Sequence, residues 1–94
     1  MRWLEFIKVQ AAATQGQAAV PKLLDLVSDL KKTPSLVEAN VCGHASVYGD
    51  FAILLLWDTD QSQRRGSPVG LNLNQALKKF GLVSHSVWIA RDER

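Results

Sequence analysis

The chain has 94 residues, of which 47% are hydrophobic and 21% are charged, with a formal net charge of +2. This size and composition predict one globular domain spanning residues 1–94 and exclude both a second core and a disordered chain. The basic residues form no stripe along the chain, so no nucleic-acid partner is expected.

Cysteine usage and apolar runs restrict the cofactors and the location. The single cysteine, Cys42, excludes an internal disulfide, no Cys/His spacing predicts a zinc site, and GSPVG lacks the spacing of a nucleotide-binding loop. We therefore expect no metal and no cofactor. The longest apolar run, Phe51 to Trp57, has seven residues, against the roughly 20 of a membrane span. The opening segment MRWLEFIKVQ lacks the apolar stretch of a signal peptide. A cytoplasmic protein with no membrane partner is expected.

The first two predicted elements are a strand and a helix. Residues 3–10 alternate between two sides, one with Trp3, Glu5, Ile7 and Val9, the other with Leu4, Phe6, Lys8 and Gln10. The helix is predicted from apolar residues at helical spacing: Val20, Leu23, Leu24, Val27 and Leu30. Pro21 is expected in its first turn, where a missing N–H breaks no hydrogen bond. Thr33-Pro34 is expected to end it.

A hairpin follows, with strands predicted over 35–47 and 51–58 and a turn at Tyr48-Gly49-Asp50. The second strand is a nearly unbroken apolar run. The first strand alternates, and one of its two sides is polar throughout: Glu38, Asn40, Cys42, His44 and Ser46. These side chains either form a solvated exterior or line a site, and the alternation allows both.

A polar loop leads to the second helix. Residues 59–66 have no apolar periodicity, and their Arg64-Arg65 pair is expected to be solvated or, alternatively, to hold an anionic ligand. Ser67 is predicted as the N-cap, with Pro68 at the first helical position. The buried side of this helix is predicted as Val69, Leu73, Ala76, Leu77 and Phe80. Gly81 suits a left-handed C-terminal cap.

The last strand is predicted over 82–90, before a charged tail at 91–94. His85 alternates with the apolar residues Val83, Val87 and Ile89. We expect it to pack at the border between helix and sheet with one hydrogen bond, rather than to bind a metal.

The predicted order β-α-β-β-α-β is that of the ferredoxin-like α+β fold, a four-stranded antiparallel sheet with two helices on one face. The other face should be polar in a monomer. Both sides of residues 51–57 are apolar, however, so the uncovered face keeps large apolar side chains whichever side meets the helices. A patch of this kind usually marks an interface. We therefore predict a homodimer in which a second copy covers this face.

The order of elements, together with the segment Ile53 to Asp58 of DFAILLLWDTD, an apolar run that ends in Trp-Asp, resembles the dimeric α/β-barrel superfamily. That group includes antibiotic-biosynthesis monooxygenase-like and stress-responsive barrel proteins. The resemblance implies a homodimer whose two sheets enclose a barrel. Activities in the group include cofactor-free oxygenation of aromatic polyketides, haem handling, dehalogenation and ligand binding, so the shared fold does not transfer one chemistry.

In such a barrel the polar side of strand 35–47 would line the interior. We predict that Asn40, His44 and Trp57 contact a small organic ligand, with Glu38 and Trp88 also lining the site. His44 would be the catalytic proton acceptor, because imidazole suits proton transfer near neutral pH.

Two functions from different classes fit these residues. In the first, the chain is a homodimeric barrel that binds a small organic molecule or transforms it without a cofactor in a monooxygenase-like reaction. Alternatively, it is a non-catalytic interaction or regulatory module whose sheet face serves dimerisation. A ligand-binding protein should have a void lined by Asn40 and His44, whereas an interaction module should have that space filled by Leu and Trp side chains.

Overall fold

The computed structural model describes residues 1–92 and confirms the predicted order of elements. Glu93 and Arg94, the end of the predicted charged tail, lie outside the described residues. The elements are β1 (Arg2–Gln10), α1 (Ala13–Leu30), β2 (Leu36–Gly43), β3 (Phe51–Asp58), α2 (Pro68–Leu77) and β4 (Leu82–Ile89). Neither helix within the described range combines the length and hydropathy of a membrane-spanning helix.

The four strands form one antiparallel sheet in the order β2-β3-β1-β4, which is the ferredoxin-like arrangement. Odd-numbered strand residues face the helices, except at the irregularity between Leu36 and Glu38, where Leu36 pairs with Trp57. The core contains Ile7 of β1 and Ile53 of β3 together with Leu23 of α1 and Leu73 of α2. Trp3 and Trp57 are cross-strand partners in this core, and their rings stack with centroids 5.8 Å apart. Both helices therefore cover the same face of the sheet.

Helix α1 begins eight residues before Pro21, so the prediction that Pro21 lies in the first turn is wrong. Pro21 cannot donate a hydrogen bond to the carbonyl of Gln17. Both residues are exposed, so water can satisfy that carbonyl. The sequence pattern missed the first two turns because AAATQGQ carries no large apolar residue.

The buried side of α1 is also rotated from the predicted one. Leu23 and Val27 are buried as predicted, and Ala19 joins them. Val20 and Leu24, both predicted to be buried, are 37% and 54% exposed. Once the helix begins at Ala13, Gly16 and Ala19 continue the buried stripe towards its N-terminus at the expected spacing.

Strand β2 ends at Gly43 and not at residue 47 as predicted, so His44 and Ser46 lie in a loop over residues 44–50. The loop is closed by a hydrogen bond from the His44 N–H to the Asp50 carbonyl. Helix α1 packs closely on it: a Cβ on Gly16 would lie 2.0 Å from the Gly49 carbonyl oxygen. Gly49 itself has φ of 99°, a conformation that favours glycine.

The N-terminus of α2 agrees with the prediction and its C-terminus does not. The Ser67 hydroxyl accepts the Gly70 N–H as an N-cap, and Pro68 is the first helical residue. The helix ends at Leu77, however, so Phe80 lies beyond it, and the predicted buried residue Ala76 is exposed. Gly81 does not have a positive φ. Its lack of a side chain matters because a Cβ there would lie 2.0 Å from the Gln10 carbonyl oxygen of β1.

Candidate functional site

The sheet face opposite the helices carries the candidate site, and we call it the open face. Antiparallel partners point to the same side of a sheet, so the strand register arranges this face in three rows that cross all four strands, with the pairs Arg2-Asp58 and Gln10-Leu82 beyond them. Read across the sheet in the order β2-β3-β1-β4, the rows are Glu38-Leu56-Leu4-Trp88, then Asn40-Leu54-Phe6-Ser86, then Cys42-Ala52-Lys8-Ser84.

The centre of the open face is apolar. Leu4 and Phe6 of β1 lie beside Leu56 and Leu54 of β3, and all four are half-buried in the single chain. Trp88 extends this patch onto β4 and is 59% exposed, with its indole N–H donating to Ser86 Oγ at 2.9 Å. Leaving such side chains in water forgoes about 1.5–3 kcal/mol for each one that could be fully buried.

The margins of the open face are polar. Glu38, Asn40 and Cys42 lie on the edge strand β2, and Ser84 and Ser86 lie on the opposite edge strand β4. The structure therefore brings Glu38, Asn40 and Trp88, three of the predicted ligand contacts, onto one face. An apolar floor with a few polar groups at its rim is the usual composition of a small-molecule site.

Trp57 does not join these residues. It is 5% exposed and lies on the helix side of the sheet, opposite to Asn40. Adjacent strand residues point to opposite faces, so Leu56, and not Trp57, belongs to the open face. Sequence alone left this undecided because both sides of β3 are apolar.

His44 is the first residue after β2, and its ring accepts hydrogen bonds from the backbone of the loop that follows. Its Nδ1 accepts hydrogen bonds from the backbone N–H groups of Ser46 and Val47, at 3.0 and 2.9 Å. A neutral imidazole that accepts through Nδ1 carries its proton on Nε2. In this arrangement His44 can offer a ligand a hydrogen-bond donor, and acceptance of a proton would require the loop to release Nδ1.

A groove of about 530 Å³ runs from the open face to this loop. Its polar lining includes Lys8, Gln10, Cys42, His44 and Ser84, and Leu82, Val47 and Ala52 supply apolar surface. Lys8 was placed on this side of the first strand by the alternation, but it was not predicted as a site residue. Within residues 1–92, no group of three or more His, Cys, Asp or Glu side chains is placed to hold a metal ion.

A second polar cluster lies on the covered face and centres on Glu5, which is fully buried. Its Oε2 accepts from Trp57 Nε1 at 2.8 Å and from Ser67 Oγ at 2.6 Å. Its Oε1 accepts from the Ser67 N–H at 2.7 Å and lies 3.1 Å from His85 Nε2. The carboxylate thus joins three strands of the sheet to the start of α2, where a negative charge also complements the helix dipole.

His85 is located as predicted, at the border between helix and sheet. Its side chain is 8% exposed, and besides Glu5 it has Asn74 of α2 at 3.5 Å from Nδ1. Glu5 was not identified as a site residue from sequence. The signal was present, because an acid among Trp3, Ile7 and Val9 on the apolar side of a strand requires buried partners. Both oxygens of this carboxylate are engaged within the fold, so the cluster is structural.

Comparisons with known proteins identify the fold. No family model matches the sequence, and no curated protein matches it. Among solved structures, a candidate antibiotic biosynthesis monooxygenase of Deinococcus radiodurans is similar with a TM-score of 0.75 at 16% identity, over 98% of this chain and 95% of that one. A candidate antibiotic biosynthesis monooxygenase of Caulobacter crescentus has a TM-score of 0.72 at 12% identity, over 97% and 91%.

SnoaB of Streptomyces nogalater, a cofactor-independent oxygenase, is similar with a TM-score of 0.60 at 15% identity, in a mutant form, over 98% of this chain and 93% of that one. These likenesses extend over nearly the full length of each chain. They show that this protein has the ferredoxin-like fold of the antibiotic biosynthesis monooxygenase-like proteins, which confirms the resemblance found in its sequence. At such low identities they establish the fold and not the chemistry.

Proposed function

We propose that the chain forms a homodimer whose two open faces enclose a chamber for a small, largely apolar organic molecule. The observation that carries this proposal is the composition of the open face, with Leu4, Phe6, Leu54 and Leu56 at its centre and polar side chains on both edge strands. An antiparallel sheet covered on one side is usually polar on the other. Where the uncovered face of the sheet is apolar, a second copy of the chain is the simplest partner to cover it.

The proposed site uses side chains of both edge strands. Asn40 and Glu38 on β2 contact polar groups of the ligand, and Trp88 on β4 contacts its apolar body. His44, at the end of β2, contributes a hydrogen bond from Nε2. Trp57 is left out of the proposed site because its indole N–H is already bonded to Glu5 on the covered face.

The reaction that we propose is a cofactor-free oxygenation of an aromatic compound. It is supported by the fold shared with SnoaB, a cofactor-independent oxygenase, and by an apolar floor suited to aromatic rings. Anthrone is a suitable test substrate, since its conversion by O₂ to anthraquinone and water needs no other reductant. Oxygen uptake that depends on the protein, persists with a chelator and falls in Asn40→Ala supports the reaction.

Assembly and binding are tested together. Sedimentation at micromolar concentration should give dimers, and the neutral probe anthracene-2-carboxamide should raise the melting temperature by mass action. Single chains at this concentration would contradict the proposal. Dimers that bind neither this probe nor the corresponding carboxylate would favour the alternative, a non-catalytic module whose open face serves dimerisation alone.

A further inference from the structure

Lys8 is the one basic side chain in the three rows of the open face. It lies on the inner strand β1, in the third row. Its neighbours across the strands are Ala52 of β3 and Ser84 of β4, neither of which is charged. Among residues 1–92 its side chain has no hydrogen bond and no ion pair, and it is exposed. A lysine whose neighbours across the strands are uncharged implies a counter-ion when that surface is covered.

The acid of the same rows is far from it. Glu38 lies in the first row and Lys8 in the third, a separation of four residues along the strands, or about 13 Å at the usual rise. The second row lies between these two levels, with Leu54 and Phe6 at its centre. Lys8 therefore lies near one end of the apolar floor, while Glu38 and the cross-strand pair Arg2-Asp58 lie towards the other end.

Hydrogen-bond donors accompany Lys8 in the groove described above. Ser84 and Gln10 line it beside Lys8, and His44 lines it from the loop with Nδ1 already occupied. One acid also lines the groove: Asp50, whose Oδ1 accepts the Ala11 N–H at 3.2 Å. It is engaged with the backbone at the start of α1, whereas Lys8 has no such partner.

We propose that this groove holds the anionic group of the ligand, and that the ligand is a flat aromatic acid, a carboxylate or phenolate, whose ring system lies along Phe6 towards Trp88. Lys8 supplies the charge, with Ser84 donating a hydrogen bond beside it. This inference rests on the proposed function, because only a covered open face makes the lysine a buried charge.

The test compares two probes that differ in charge alone, anthracene-2-carboxylate and anthracene-2-carboxamide. Binding is followed by titration calorimetry on the full chain, for the wild type, Lys8→Met, Lys8→Arg and the control Lys22→Met, an exposed lysine of α1. The wild type should prefer the carboxylate by roughly tenfold, the order of one charge-assisted hydrogen bond. Lys8→Met should lose that preference and keep its affinity for the carboxamide, while Lys8→Arg and Lys22→Met should retain the preference.

Three results would overturn the inference, and they have different meanings for the proposed function. Equal affinity of the wild type for both probes means that a chamber exists without an anion site. Weaker dimerisation of Lys8→Met in sedimentation, with the carboxylate preference intact, means that Lys8 pairs with an acid of the second copy. Failure of both probes to bind the wild type removes the aromatic-acid site and the proposed chamber together.

Discussion

At the scale of single residues, Glu5 shows how a charge is held inside this fold. Burial of an isolated carboxylate is costly, and only complete hydrogen bonding offsets that cost. Glu5 receives hydrogen bonds from Trp57 Nε1, the Ser67 hydroxyl and the Ser67 N–H, and His85 is its fourth neighbour. Gly66 and Gly70 permit this approach, since a Cβ on either would lie within 2.8 Å of the carboxylate.

Replacement of Glu5 by glutamine should lower the free energy of unfolding by about 2–4 kcal/mol. The glutamine NH₂ group would face at least one donor in either orientation, because Trp57 Nε1 and Ser67 Oγ donate to Oε2 and the Ser67 N–H donates to Oε1. Urea unfolding at constant protein concentration measures the change. Asp25→Asn, the corresponding acid-to-amide substitution at an exposed residue of α1, should stay within about 0.5 kcal/mol of wild type. An unchanged urea midpoint for Glu5→Gln would show that the buried network is not important for stability.

At the scale of elements, α1 is packed closely at its N-terminal end and lacks one backbone hydrogen bond in its middle. Its first turns pack against the loop over residues 44–50, where Gly16 meets Gly49 and the Ala11 N–H donates to Asp50. Its middle contains Pro21, which leaves the Gln17 carbonyl without an N–H partner in the helix. The helix persists across the proline because Ala19, Leu23 and Val27 are buried on its other side.

Pro21→Ala should therefore stabilise the protein by about 1–3 kcal/mol, because alanine restores the hydrogen bond and removes the steric conflict. Pro34→Ala is the matched control. Pro34 lies in the turn after α1, where loss of a proline mainly frees the unfolded chain and should cost about 0.4–1 kcal/mol. The two substitutions should thus shift the urea midpoint in opposite directions, and a destabilised Pro21→Ala would show that the proline is favourable in place.

At the scale of the whole molecule, residues 1–92 expose two apolar surfaces of different size and position. The open face spans all four strands around Phe6 and Leu54. The other is smaller, where Val20 and Leu24 of α1 approach Tyr48 along a groove of about 340 Å³. The proposed dimer uses the first, which spans all four strands and has half-buried apolar side chains on its two inner strands.

Leu54→Glu should convert dimers to single chains without unfolding them, because the new carboxylate is solvated in a monomer and would be desolvated without a partner in the dimer. Leu24→Glu is the same substitution on the second apolar surface and should leave the dimer intact. Sedimentation gives the assembly and circular dichroism gives the fold. Dissociation by Leu24→Glu, with dimers retained in Leu54→Glu, would place the interface on α1 instead.

The order of elements could be read from the sequence because it depends on local signals. Alternation in residues 3–10 and the Ser67-Pro68 start of α2 were each sufficient to place an element. The same local signals predicted that one sheet face would be apolar and uncovered. They failed in α1, where Ala and Gly form helix without large apolar residues, and at His44, which alternates like a strand residue but lies in a loop.

Only the tertiary structure decided which side of β3 meets the helices, and with it the composition of the candidate site. Phe51 to Trp57 is apolar on both sides, so its pattern contains no information about direction. Pairing with β1 resolves it, because Trp3, Glu5 and Ile7 pack beneath the helices and their β3 partners must point the same way. Trp57 is buried for that reason, and the open face carries Leu54, Leu56 and Lys8 instead. Cross-strand register and burial are properties of distant segments brought together, and a single strand cannot specify them.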